Sequence, residues 1–176
     1  MYPKLSLSVG AVIGCLLAAA PSYAQEVKAG DLVISRAWSR ATPGGSKVAS
    51  GYLTIENKGA NADRLIGGST TIAAKLEVHE MTMSKGVMTM HPAEGGLAIP
   101  AGKTVTLSPG AYHLMITELK TPLKEGSTFA ATLQFEHAGK IDVTFNVQGI
   151  GAKGPAGGPA RDDKDHGAMD HGKMKM

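Results

Sequence analysis

From about Asp31 to Gln148, apolar and polar residues alternate in short runs broken by Gly, Pro and Asn, and that period-two pattern leaves few folds open. Side chains along a strand point alternately to opposite faces, so each run buries one face and wets the other. No helical period is sustained in this span. The clearest runs are Leu32 to Trp38, Tyr52 to Asn57, Lys75 to Met83, Val87 to His91, Lys103 to Leu107, Ala111 to Thr117, Thr128 to Glu136 and Lys140 to Gln148. In the last two, Phe129, Ala131, Leu133 and Phe135 share one face, as do Ile141, Val143, Phe145 and Val147, with His137-Ala138-Gly139 as the hairpin loop. Seven or eight such strands predict an all-β sandwich or barrel.

The pattern stops at both ends. Lys4, the largely apolar run Leu5 to Ala20 and the small-x-small triplet Ser22-Tyr23-Ala24 predict a secretory signal peptide over residues 1–24, cleaved near Ala24. The run is too short for a membrane span. Val12-Ile13-Gly14-Cys15 loosely resembles a lipoprotein processing box, but the apolar run continues past it. Cys15 is the sole cysteine, so cleavage near Ala24 leaves residues 25–148 as a domain with neither disulfide nor thiolate. Residues 149–159 read as a Gly/Pro linker, and residues 160–176 lack the apolar content for a core and read as a disordered tail. The formal charge of +3 falls to +2 without Lys4, and scattered basic residues give no nucleic-acid footprint.

Chemistry concentrates on the polar faces. In Lys75 to Met83, Leu76 and Val78 fall on one face, and Glu77, His79, Met81 and Met83 on the other. In Ala111 to Thr117, Tyr112, Leu114 and Ile116 oppose His113 and Met115, which predicts that the His/Met residues lie off the core. A hairpin turn at Lys85-Gly86 with a loop of two or four residues sets Met81 against Met90 and Met83 against Met88. A three-residue loop sends Met88 and Met90 to the other side. Methionine commonly fills core gaps, yet a core face already exists here. Thioethers bind Cu(I) well and zinc or magnesium poorly, and imidazole binds copper in either oxidation state. Thioethers also neither titrate nor form disulfides, which suits an oxidising compartment. His91, offset by one residue from Met90, and His137, in a loop, read as surface histidines. In the tail, His166, Met169, His171, Met174 and Met176 form a compositional metal-binding tract, with imidazole and nearby carboxylates suited to Cu(II).

His79, Met90, His113 and Met115 match the motif of the periplasmic copper chaperones called PCu(A)C: a His, ten residues, a Met, about twenty-one residues, then His-x-Met. The first gap here is ten residues; the second is twenty-two, an extra residue assigned to the turn near Ala93-Glu94-Gly95-Gly96. The chain resembles this family also through Trp38-Ser39-Arg40-Ala41-Thr42-Pro43, Gly51-Tyr52-Leu53-Thr54-Ile55-Glu56-Asn57, Ile99-Pro100-Ala101-Gly102 and Gly110-Ala111-Tyr112-His113-Leu114-Met115, across about Ala37 to Val147. The resemblance implies a cupredoxin-like Greek-key β-fold and a Cu(I) site of two His and two Met. It also implies copper delivery toward a cytochrome oxidase copper centre, with that subunit or Sco-type chaperones as acceptors. Passive copper sequestration is the alternative. A blue-copper electron carrier needs a Cys thiolate. A copper enzyme needs a more histidine-rich open site, so no catalysis is expected.

Overall fold

The alternating runs become strands in the computed structural model, which describes residues 26–84 and 86–155. The candidate leader with Cys15, the end of the candidate linker and the His/Met tail lie outside the described residues. In chain order the strands are β1 (Val27–Ala29), β2 (Leu32–Arg40), β3 (Val48–Asn57), β4 (Asp63–Thr70), β5 (Lys75–Ser84), β6 (Val87–Pro92), β7 (Leu97–Ile99), β8 (Thr104–Leu107), β9 (His113–Thr117), β10 (Thr128–Phe135) and β11 (Lys140–Gln148). All eight runs read from the sequence are strands, within four residues at each end.

Seven strands close into a ring. β11 pairs β2 in parallel, and β10–β11, β10–β4, β4–β5, β5–β9, β3–β9 and β2–β3 complete the circuit antiparallel. Closure satisfies edges that an open sheet leaves unpaired. The other four are added at the rims: β1 on β2, β6 on β5, β7 on β4 and β8 on β3.

The inward positions of β10 and β11 are buried as their alternation predicts, and Phe129 and Phe145, direct register partners, stack with centroids 5.1 Å apart. Such a pair contributes about 0.5–1.5 kcal/mol beyond its buried area. Trp38 and Tyr52 form a second aromatic pair, 4.6 Å apart, across β2 and β3.

Three strands escape the alternation pattern. β1 and β7 are three residues each, too short to show a period. β4 carries Gly67-Gly68 in its middle, and glycine normally weakens a strand. The reason for Gly68 is close approach: a Cβ there would sit 2.6 Å from the Thr132 carbonyl oxygen. Asp63, at the start of β4, is buried and accepts hydrogen bonds from the backbone N–H groups of Arg64, His137 and Ala138 at 2.7, 3.0 and 2.9 Å. Burial alone would raise its pKa; the three N–H donors and the neighbouring His137 together outweigh that and hold it below the usual carboxylate value.

Residues beyond β11 do not leave the barrel at once. The Ala152 N–H bonds to the Gly149 carbonyl at 2.9 Å, and Arg40 Nε donates to the Ala152 carbonyl at 2.7 Å, so the described part of the candidate linker turns against β2. Among the described residues, no helix is long and apolar enough to cross a membrane.

Candidate metal centre

β5 belongs to the barrel for only half its length. Lys75 to His79 pair with β9, whereas His79 to Ser84 pair with β6. The face that carries Leu76 and Val78 toward the core then carries Glu80 and Thr82, because no core lies behind the outer half. The hairpin β5–β6 is therefore an arm standing off the barrel, and every residue of β6 is exposed. His79 is the hinge position: it faces His113 on one edge and Pro92 on the other.

The register of the arm decides which methionines meet. Ser84 pairs with Val87, leaving a two-residue loop in which Gly86 takes φ +80°, a conformation a side chain would resist. Met81 consequently pairs with Met90 and Met83 with Met88, on the face that carries His79. The grouping that depends on a loop of two or four residues is the one that forms.

The imidazoles and one thioether converge at the root of the arm. The rings of His79 and His113 lie 6.1 Å apart, centroid to centroid. β6 and β9 flank β5 on opposite edges, about 9–10 Å apart as backbones, yet Met90 Sδ reaches across to within 3.1 Å of His113 Nε2. His113 Nδ1 lies 3.1 Å from the Ala111 carbonyl oxygen, and a carbonyl only accepts. Nδ1 of the neutral ring therefore carries the proton, and Nε2 presents its lone pair toward the sulfur. Two electron-pair donors face one space.

His79 has a different peculiarity. Both its ring nitrogens are buried without a hydrogen-bond partner. Leaving such groups unsatisfied costs about 1–3 kcal/mol, so a native structure that keeps them calls for a ligand or another reason. Glu77 Oε2, at 3.6 Å from His79 Nε2, is too far for a hydrogen bond but places a carboxylate at the edge of the cluster. Met115, the fourth residue of the sequence motif, is half-buried opposite Glu77 and shares the His113 face by alternation.

Face and exposure are separate properties here. The His/Met residues do lie off the core face, but His113 is only 5% exposed and the His79 side chain only 12%. Alternation reports which face a residue takes and nothing about what covers that face; here Met90 reaches over it from the arm. His91 is exposed on the opposite face of the arm, with Nε2 3.1 Å from Thr82 Oγ1 and Nδ1 3.6 Å from Glu80. His137 is exposed in the β10–β11 loop. Sequence reasoning missed one neighbour of the cluster. Glu77 was visible on the His79 face, but nothing marked its proximity. Tyr112, just before β9, packs against the core on the face opposite the cluster, where a hydrogen bond to Glu80, with some burial, raises its phenol pKa. The tail residues His166, Met169, His171, Met174 and Met176 lie outside the described residues.

A closed β-barrel with an imidazole–thioether cluster at the root of a hairpin arm defines a cupredoxin-like domain of the PCuAC type. The chain belongs to the family described as "Putative lipoprotein LpqE-like", whose family model matches residues 32–147. It is 33% identical over 115 residues to "Putative lipoprotein Lxx21020" of Leifsonia xyli subsp. xyli, spanning 65% of this chain and 68% of that one. Among solved structures, it superposes on the apo PCuAC domain from PmoF1 with a TM-score of 0.61 at 25% identity, covering 71% of this chain and 99% of that domain. The Cu(I) form of DR1885 from Deinococcus radiodurans matches with a TM-score of 0.51 at 29% identity, over 70% of this chain and 80% of that one.

Proposed function

We propose that this protein is an exported copper chaperone that carries Cu(I) at His79, Met90, His113 and Met115 as cargo. The observation that carries the reading is the pair of lone-pair donors, His113 Nε2 and Met90 Sδ, 3.1 Å apart beside a buried His79 with no hydrogen-bond partner. An ion entering this space meets the His79 nitrogens, which no protein group satisfies, and the facing His113 Nε2 and Met90 Sδ. Thioether with imidazole selects a soft ion, and of the biological metals Cu(I) fits that set best. The Glu77 carboxylate offsets the single positive charge that four neutral ligands leave on the ion. The Cu(I) form of DR1885 and the copper-bound PCuAC domain from PmoF2, the latter similar in fold, support copper as the cargo.

Delivery toward an oxidase copper centre, directly or through a Sco-type chaperone, is the role the motif's family suggests; sequestration uses the same site without an acceptor. The tail, through His166, Met169, His171, Met174 and Met176, adds Cu(II) binding to this proposal. Export is supported by the leader pattern and by the lipoprotein descriptions of family and relative. Cleavage near Ala24 begins the mature chain at Gln25, processing at Cys15 leaves a lipid-bearing cysteine, and intact mass separates the two.

The test is chelator competition for Cu(I) on the chain and on a variant with His113→Ala and Met115→Ala together. The double variant should lose the tight site; unchanged affinity overturns the ligand assignment. Mixing the Cu(I) form with an oxidase copper-centre subunit or a Sco-type chaperone and following the metal distinguishes delivery from sequestration.

A further inference from the structure

The ligand motif uses one methionine of the arm and leaves three, and the register gives those three a common address. Met83 and Met88 are direct cross-strand partners, and Met81 lies two residues inward from Met83 on the same face. Direct partners on a strand pair hold their Cβ atoms about 4.5–5.5 Å apart, and diagonal neighbours stay within reach of long side chains. Three thioethers on flexible stems can thus close on one ion.

Their exposure is the second observation. Met83 is 70% exposed, Met88 44% and Met90 46%. Exposed apolar residues scattered singly need no explanation, but a contiguous patch marks a binding surface. The opposite face of the same arm carries the ordinary surface residues of a hairpin: Thr82 and Thr89 bond to each other at 3.2 Å, and Thr82 also meets His91. One face of a solvated ribbon has been given thioethers throughout, and nothing in the barrel's packing requires them there.

We propose a second soft-metal site on the outer arm, formed by Met81, Met83 and Met88, that receives Cu(I) from solution or from a donor and passes it inward through Met90. This rests on the reading of the His/Met cluster as a Cu(I) site. Same-face positions along a strand are about 7 Å apart, so the outer site lies a short step from the inner one. Met90 is shared between them: its backbone pairs with Met81 and its sulfur faces His113. The two sites differ in the direction that transfer needs. The outer one offers only thioethers, those of Met83 and Met88 exposed, that must be ordered around the ion, whereas the inner one offers imidazoles already held by the barrel. Ordering long side chains costs affinity, so Cu(I) moves down the gradient from arm to root without any change of oxidation state.

The experiment uses the full chain with 13C-labelled methionine methyl groups, titrated with Cu(I) and in parallel with Ag(I), a soft ion that does not change oxidation state. The first equivalent should shift Met90 and Met115, and further metal should shift Met81, Met83 and Met88 together. With Met83→Leu and Met88→Leu combined, the first step should persist while the Met81 shift is lost. If Met90 and Met115 respond but Met81, Met83 and Met88 stay fixed, or if Met81 still shifts in the double variant, the second site is wrong and the inner one stands. If Met90 and Met115 do not respond at all, the inner site itself fails and the relay with it.

Discussion

The two halves of β5 obey one alternation and serve opposite ends. In Lys75 to Val78, the face toward the barrel carries Leu76 and Val78, both buried, and the other face carries exposed Lys75 and Glu77. In His79 to Ser84, the face that continues Leu76 and Val78 turns polar with Glu80 and Thr82, and the other face gathers His79, Met81 and Met83. The crossover falls where the strand's partners change from β9 to β6. Burial of apolar area holds the inner half in place; the outer half holds donors where a metal can reach them. The barrel is the stability element, and the arm's root is where stability is given up for binding.

Four substitutions break that comparison if it is wrong, the largest effect first. Phe145→Ala removes a fully buried ring stacked on Phe129 and should destabilise the fold by about 3–5 kcal/mol, measured by urea unfolding. Met83→Ala on the arm should change stability by no more than about 0.5 kcal/mol. Equal effects would mean the arm is part of the core.

Asp63→Ala leaves three N–H groups at the β4 and β10–β11 junction without their acceptor and should cost about 1–3 kcal/mol. The pH dependence supplies a signature. A carboxyl whose folded pKa lies below its unfolded value near 3.9 contributes stability above that value, lost as pH falls through the folded pKa. Asp63→Ala should therefore flatten the acid limb of the stability curve, and an unaltered limb would assign the acid sensitivity elsewhere.

His79→Leu sharpens the comparison at the boundary itself. The buried imidazole has no hydrogen-bond partner, so replacing it with an apolar side chain should leave the metal-free protein as stable or more stable, by roughly 0.5–2 kcal/mol, as substitutions at strained functional positions commonly do. Cu(I) affinity should fall in the same variant. A destabilised metal-free protein would show that His79 serves packing.

Much of this was legible in the sequence where a side-chain period had room to repeat. β10 and β11, eight and nine residues long, show their buried face directly, and so do the opposed faces of β5 and β9. β4 was illegible because the Gly68 that lets Thr132 approach also erases the period, and the roles of Asp63 and Gly68 depend on backbone contacts from distant segments. Within the site, alternation placed His79, Met81 and Met83 together, but the facing set hung on the length of one loop. The covering of His113 could not be read at all, since it comes from a methionine two strands away whose reach is a matter of side-chain conformation.

The central claim is that arm and barrel must both donate to one Cu(I) ion, and Met90 is the arm's contribution. Met90→Leu keeps the volume and the hairpin while removing the sulfur. Competition against a chelator strong enough to keep the tail's donors empty should show Cu(I) affinity at least about tenfold weaker than in the unaltered chain, the equivalent of about 1.4 kcal/mol. Unchanged affinity in Met90→Leu would mean that the barrel binds alone, and the account of a shared site would be wrong.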